Sequence, residues 1–144
     1  MEATAEIIIN RPLAEVAAFV MDPANDLSWI GGVKEVQILT SLPLQAGTRV
    51  RRVAAFLGRR IEYVNEVVSY DPPRRLEMRS VQGPFPMTVV YELKEAESGT
   101  RLHIRAAGDA TGFFKLAGPL LSNAVRRSVN RDLRTLKERL EADY

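Results

Sequence analysis

The sequence predicts an α+β domain: a curved antiparallel sheet of about seven strands wrapped around one long C-terminal helix, with two short helices after the first strand. Three observations carry that expectation. The hydrophobic period switches from strand-like to helical after Ile9, and back to strand-like after Gly31 and Gly32. The strand-like stretches that follow alternate apolar and polar residues and are separated by tight-turn residues. The one long amphipathic helical pattern is the last feature of the chain, running from Phe113 to about Ala142.

Taken in order, "ATAEIII" (residues 3–9) is short and β-branched, which suits a strand. In "NRPLAEVAAFVMD", Leu13, Val16, Ala17 and Val20 fall at helical spacing, with Pro12 suited to a first turn and Glu15 to the positive end of the helix dipole. "DPAND" restarts a second short helix, with Asp22 as N-cap and Pro23 at the first helical position. "VKEVQIL" then places Val36 and Ile38 on one face. "GTRVRRVAAFLGRRIEYVNEVVSYDPP" reads as a hairpin turning at Gly58 and stopping at Pro72-Pro73. "RRLEMRS" puts Leu76 and Met78 on one side. "FPMTVVYELKE" alternates Met87, Val89, Tyr91 and Leu93 against polar neighbours, and "ESGTRLHIRAAG" turns at Ser98-Gly99 before alternating Leu102, Ile104 and Ala106. In the terminal helix Val125, Val129, Leu133, Leu136 and Leu140 form the apolar stripe, with Arg126, Arg127, Arg131 and Arg134 off it.

At 144 residues the chain is expected to be a single domain, residues 1–144, large enough to bury a core without staples. A hydrophobic content of 46% with 26% charged residues is ordinary for a soluble globular protein. The absence of Cys excludes disulfides, thiolate catalysis and Cys-ligated zinc or iron–sulfur clusters. With a single His103, no metal site and no cofactor are expected. A net charge of +2 with interleaved signs gives no reason to expect nucleic acid as a partner. "MEATAEIIIN" carries acids where a signal peptide needs a basic region, and no stretch approaches the roughly 18 apolar residues of a transmembrane segment. A cytoplasmic location is the resulting expectation. Whether the chain works alone or as a homodimer is left open.

This element order has a geometric consequence. The inner face of the sheet must be buried on something, and only the last helix is long enough. A helix about 10–12 Å across cannot cover so wide a curved surface, so a filled core or a hollow must make up the difference. "TGFFKLAGPLLSNA", with Gly112, Ala117, Gly118, Pro119 and Ala124, favours the hollow, because a space-filling helix would carry bulkier residues there. Pro119 is expected to kink the helix or restart it after a break.

The phrases "INRPLAEVAAFVMDPANDLSWIGGVKEVQIL", "AGTRVRRVAAFLGRRIEYVNEVVSYDPPRRLEMRS" and "SGTRLHIRA", followed by the amphipathic helix, resemble the START-like, polyketide cyclase/dehydrase (SRPBCC) superfamily over nearly the whole chain. This is also called the helix-grip or birch-pollen-allergen-like fold. The resemblance implies a deep pocket between sheet and C-terminal helix that binds an apolar or aromatic small molecule, such as a lipid or polyketide. It includes carriers, plant hormone binders, polyketide cyclases and dehydratases, and a chaperone-activating branch. Rieske oxygenase domains share the fold but need His and carboxylate ligands for iron, which one histidine does not supply.

The candidate ligand-binding residues follow from that pocket. Trp29, in front of Gly31 and Gly32, is expected at its rim, with a hydrophobic plug as the alternative. Phe113, Leu116, Leu120 and Ala124 are expected on the helix side, and Met78, Val89, Tyr91, Ile104 and Ala106 on the sheet side. Arg52 shares a face with Val50, Ala54 and Phe56, so a regular strand projects its guanidinium inward; a bulge at Arg51–Arg52 would turn both outward. An inward Arg52 needs a partner, either Glu62 or Glu66 on the next strand or a carbonyl-bearing or anionic ligand. Some cyclase-type relatives polarise a carbonyl with a pocket arginine, and Arg52 is the position that matches. Tyr63 and Tyr91 are potential hydrogen-bond donors. His103 shares the solvent face with Arg101 and Arg105.

Three functions therefore compete. The first is a binder or carrier of a hydrophobic small molecule, which suits an apolar pocket with few polar groups. The second is an enzyme of the cyclase, dehydratase or isomerase type, with Arg52 and tyrosines stabilising an oxyanion. No catalytic residue is assigned, because acid–base work needs a tunable carboxylate or imidazole and none is placed inside. The third is a protein-interaction module of the chaperone-activator type.

Overall fold

β1 (Glu2–Ile9) leads into α1 (Leu13–Val20), a single 3-10 turn (Pro23–Asn25) and α2 (Asp26–Trp29). Six strands follow: β2 (Val33–Ile38), β3 (Arg49–Phe56), β4 (Arg59–Asp71), β5 (Arg75–Gln82), β6 (Met87–Ala96) and β7 (Gly99–Gly108). A one-turn α3 (Thr111–Phe114) precedes α4 (Gly118–Glu141). These elements come from a computed structural model that describes residues 1–142, so the last two residues of the expected domain lie outside the described residues. The 7 strands form one antiparallel sheet in the order β1-β7-β6-β5-β4-β3-β2. The fold is the curved sheet, long terminal helix and short helices after β1 that the sequence predicts.

Local chemistry sets the element ends. Asp22 Oδ1 accepts from the Ala24 N–H at 3.0 Å, which caps the 3-10 turn, and Pro23 occupies its first position. The β3–β4 hairpin turns on Leu57 (φ 51°) and Gly58 (φ 77°). A two-residue turn that matches strand twist needs positive φ at both positions; glycine adopts it freely and leucine against resistance. The predicted terminal helix begins as α3 and then breaks. Lys115 takes a left-handed φ of 54°, Ala117 is extended, and Pro119 sits in the first turn of α4. Proline there lacks only an N–H that has no partner in a first turn.

Packing divides α4 into two halves. Its C-terminal half carries Leu133, Leu136 and Leu140 onto Ile9, Val16, Val20, Leu93 and Leu102, and this end is filled. Each such side chain contributes about 1.5–3 kcal/mol by leaving water. Polar clamps hold the same end: Lys137 Nζ donates to the Ile8 carbonyl at 2.7 Å, and Glu141 accepts from the Asn10 N–H at 2.7 Å. The N-terminal half of α4 faces the other half of the sheet, where Ala54, Ala106 and Ala107 stand among larger side chains. No helix among the described residues is long and apolar enough to cross a membrane.

Candidate functional site

Beneath the N-terminal half of α4 lies a partly open cavity of about 220 Å³. It exists because small residues stand where larger ones would meet. Ala54, Ala106, Ala107, Ala110 and Gly32 line it, so the sheet and α4 remain apart. The filled end of the molecule has leucines at the equivalent layer.

The sheet side of the cavity carries the sequence-predicted residues Arg52, Tyr63, Met78, Val89, Tyr91 and Ile104, together with Asn65. Strand alternation places them: β3 runs without a bulge from Arg49 to Phe56, so Arg52 faces inward and Arg51 outward. Trp29 also borders the cavity, but it is a buried wall, 3% exposed, rather than a solvent-facing rim. Its ring lies tilted against Tyr91 with centroids 6.1 Å apart.

The helix side differs from the sequence expectation. Phe113, Leu116, Leu120 and Ala124 do not line the cavity; Phe114, Leu121, Val125, Ser128, Val129 and Asp132 do. The cause is helical phase. Leu121, Val125 and Val129 step by four along the stripe, and Leu120 and Ala124 sit one residue, about 100°, off it. Leu120 is 58% exposed. Phe113 packs outside the cavity, edge-on to Phe114 with centroids 4.9 Å apart and tilted against Phe85 at 5.4 Å. Arg59, from the β3–β4 hairpin, stacks over the Phe113 ring at 3.8 Å and donates to its carbonyl. Phe56, Phe85 and Phe114 complete an aromatic cluster at this end of the cavity.

Arg52 is 5% exposed and its partner is neither Glu62 nor Glu66, as the sequence suggested. Those two pair with Arg51 and Arg49 on the outer face. Instead Arg52 Nε donates to Asp26 Oδ2 at 2.6 Å, and Asp26, on α2, is 2% exposed. Burial works against the charge of Arg52, and Asp26 together with the Tyr63 and Tyr91 oxygens outweighs it, so the guanidinium is held above its ordinary value. Burial pushes the Asp26 carboxyl up and Arg52 pulls it part of the way back. The outer edge of the guanidinium has no oxygen partner: Nη1 and Nη2 meet only the Met78 sulfur, at 3.9 Å.

Other polar groups at the cavity are equally short of protein partners. Trp29 Nε1 and Asn65 Oδ1 are buried without a hydrogen bond. The Tyr63 and Tyr91 hydroxyls make none with other described residues. Burial raises both phenols, Tyr91 far above its ordinary value, so both remain protonated donors.

Sequence reasoning placed no carboxylate inside, and the structure places two: Asp26 and Asp132. Asp132 is 7% exposed, borders the cavity, and accepts from the Gly31 N–H at 3.0 Å. Burial pushes its carboxyl up, with the Gly31 N–H and the Arg131 charge opposing. Its position was legible: it stands three residues after Val129 and seven after Val125, on the inward stripe. Of the paired glycines, space demands only the second: a side chain on Gly32 would press within 2.9 Å of the Ala55 carbonyl, whereas one on Gly31 would meet Asp132 Oδ1 at an ordinary 3.5 Å. His103 lies on the outer face, flanked across the sheet by Glu6 and Glu92. Among the described residues, no group of three or more His, Asp or Glu is arranged to hold a metal ion.

Comparison with known proteins agrees with this architecture. The family described as polyketide cyclase / dehydrase and lipid transport matches residues 1–141. A Thermus thermophilus protein, TTHA0849, superposes with a TM-score of 0.82 at 22% identity, covering 100% of both chains. A START superfamily protein from Mycobacterium smegmatis superposes with a TM-score of 0.82 at 13% identity, covering 98% of this chain and 97% of that one. Ara h 8.0201 gives a TM-score of 0.72 at 13% identity over 99% of each chain. At these identities the likeness is one of fold. No curated protein matches the chain.

Proposed function

The chain belongs to the polyketide cyclase / dehydrase and lipid transport family, and from that premise we propose that its cavity binds one small, largely apolar molecule carrying an oxygen acceptor. The observation that carries this reading is the lining. Apolar side chains surround a space of about 220 Å³ that is also lined by a few donors with no oxygen partner in the protein: the outer Nη edge of Arg52, the Tyr63 and Tyr91 hydroxyls and the Trp29 indole N–H. Binding sites combine apolar walls with a small number of placed polar groups in this way. An apolar cavity of about 150 Å³ holds benzene, so this one suits a bicyclic molecule of roughly 10–15 non-hydrogen atoms.

Buried donors left without partners are costly, each on the order of 1–3 kcal/mol. A guest with a carbonyl or carboxylate oxygen satisfies several of them at once, whereas a hydrocarbon satisfies none. Ligand preference is therefore expected to follow the oxygen. The test is native mass spectrometry of the purified protein with and without β-tetralone, a bicyclic ketone, and tetralin, the matching hydrocarbon. A one-to-one complex with β-tetralone that resists competition by tetralin supports the reading. Equal binding of both would remove the polar part of it, and binding of neither would remove the whole.

A second reading has its own observation. Arg52, Tyr63 and Tyr91 form a donor set of the kind that stabilises an oxyanion, which favours an enzyme of the cyclase, dehydratase or isomerase type acting on a carbonyl.

A further inference from the structure

We propose that Asp132 makes the cavity catalytic: its carboxylate removes a proton from the carbon beside a carbonyl on the bound molecule, and returns it at a different carbon. The proposal rests on the reading that the cavity holds a small carbonyl compound.

The first observation is that Asp132 is a buried carboxylate without an ion-pair partner, the Arg131 charge acting on it only through space. None of the ion pairs among the described residues involves it. One oxygen accepts from the Gly31 N–H, and the other has no protein partner among them. Holding an unpaired carboxylate out of water is expensive. The contact with Gly31 does not demand it, because an asparagine in the same place would accept the same hydrogen bond without the charge. The carboxylate is therefore in excess of what the fold needs.

The second observation is what lies across the cavity. Asp132 projects from α4, and Arg52, Tyr63 and Tyr91 project from the sheet. Tyr91 lies within electrostatic reach of Asp132 on one side and of Arg52, Asp26 and Tyr63 on the other. A base and a set of oxyanion donors thus face each other across a space about one bicyclic molecule wide. Burial has raised the basicity of the carboxylate, which favours taking protons from carbon.

The chemistry closes without a co-reactant. Asp132 takes the α-proton of a β,γ-unsaturated ketone. The electron pair of the broken C–H bond forms a new C=C bond and pushes the carbonyl pair onto oxygen, giving a dienolate held by Arg52 Nη and a tyrosine hydroxyl. The Asp132 carboxylic acid then delivers the proton to the γ-carbon, and the carbonyl re-forms. The product is the conjugated isomer with the same composition. The substrate class is a small, enolisable unsaturated ketone.

The probes are β-tetralone in D₂O, with deuterium entry at its α-carbons followed by NMR, and a β,γ-unsaturated cyclohexenone, with conjugation followed by ultraviolet absorbance. Occupancy by β-tetralone is read from the emission of Trp29, the single tryptophan. The protein is expected to accelerate both reactions over buffer. Asp132→Asn keeps the acceptor for Gly31 and is expected to lose about 100-fold or more of the rate while β-tetralone still binds. The wild-type rate is expected to rise with pH through one ionisation above the ordinary aspartate range, and that step should vanish in the variant. Tyr91→Phe, which keeps the ring against Trp29, is expected to lose on the order of 100-fold as an oxyanion donor disappears. Bound β-tetralone that exchanges no faster than in buffer, or a D132N rate equal to wild type, overturns the catalytic role and leaves the binding site standing. Absence of binding overturns both.

Discussion

Asp26 Oδ2 and Arg52 Nε lie 2.6 Å apart, and their pairing ties α2 to the inner face of β3 at the floor of the cavity. The two partners sit 26 residues apart in sequence, on elements of different type. Neither has water to fall back on. The arrangement fixes the guanidinium by one edge and leaves the other edge free.

The pair predicts an asymmetric mutational response. Asp26→Ala leaves a buried guanidinium uncompensated and is expected to cost about 3–5 kcal/mol in urea denaturation. Arg52→Met is expected to cost less, because the orphaned Asp26 carboxyl, already pushed up by burial, can take a proton. Combining Asp26→Leu with Arg52→Met should recover most of the loss, since an apolar pair satisfies itself. A double variant whose cost equals the sum of the two single costs would show that the pair is not a coupled unit.

Trp29 separates stability from recognition. Its indole N–H is buried without a partner, so Trp29→Phe removes no protein hydrogen bond and keeps most of the ring against Tyr91. Calorimetry should show β-tetralone losing about fivefold in affinity, the equivalent of one ordinary hydrogen bond, while tetralin is unaffected. Trp29→Ala is a different experiment: it opens a cavity in the wall and is expected to cost about 3–5 kcal/mol of stability. If Trp29→Phe weakened both probes alike, the N–H would have no role in recognition.

The aromatic cluster predicts a kinetic effect. Arg59 joins the β3–β4 hairpin tip to α3 through the Phe113 ring and carbonyl, beside the Phe114 that borders the cavity. An exposed cation–π contact is worth about 0.5–1 kcal/mol, so Arg59→Ala should barely change the melting temperature. Stopped-flow measurement should nevertheless show a probe leaving up to about fivefold faster, because this clamp is what holds α3 down. An unchanged dissociation rate would place the route of entry elsewhere.

Much of this architecture is written in local patterns. Strand alternation is short-range, so β3 could be phased from Val50, Ala54 and Phe56, and Arg52 came with it. The sheet-side residues Tyr63, Met78, Val89, Tyr91 and Ile104 were placed for the same reason. The helix side failed because phase in a helix accumulates about 100° per residue, and the break at Lys115–Ala117 reset it. The sequence predicts a break at Pro119, but carrying the phase of Phe113 and Leu116 across it puts Leu120 and Ala124 on the cavity side, where Leu121 and Val125 stand. Asp26 and Asp132 were missed because an acidic residue on an amphipathic helix reads as solvated. Asp132 was nonetheless legible from its spacing to Val125 and Val129, whereas only the tertiary fold shows that α2 is pressed onto the sheet with Asp26 buried.

Asp132 also predicts how stability varies with pH. Burial raises its folded-state pKa above the unfolded value, so the native state holds the proton more tightly. Its contribution is fully present below the ordinary aspartate pKa and is lost as pH rises through the raised folded value. Surface carboxylates act in the opposite direction: Glu2 and Glu15, lowered by Arg105 and Arg11, contribute above their unfolded pKa and lose that as pH falls. The comparison must therefore be wild type against Asp132→Asn across the acid to neutral range. The variant should gain on wild type as pH rises through that window and hold a constant offset above it. A difference independent of pH would mean that Asp132 titrates as an exposed residue.

The hollow itself is open to a direct challenge. Ala106, on β7, borders the cavity opposite α4 and pairs across the sheet with Val89. In a packed core, adding methylenes costs typically 1–3 kcal/mol through strain. Ala106→Leu adds three carbons, on the order of 80 Å³ at about 0.8 kcal/mol per buried CH₂, and the cavity of about 220 Å³ has room for them. The variant is expected to match or exceed wild-type stability in urea denaturation, and to lose β-tetralone binding at least about tenfold, since the guest and the new side chain compete for one space. Those two results have to occur together. A destabilised variant would mean that the side chains around Ala106 already fill the site, whereas a stable one that binds as before would put the guest somewhere other than beneath α4.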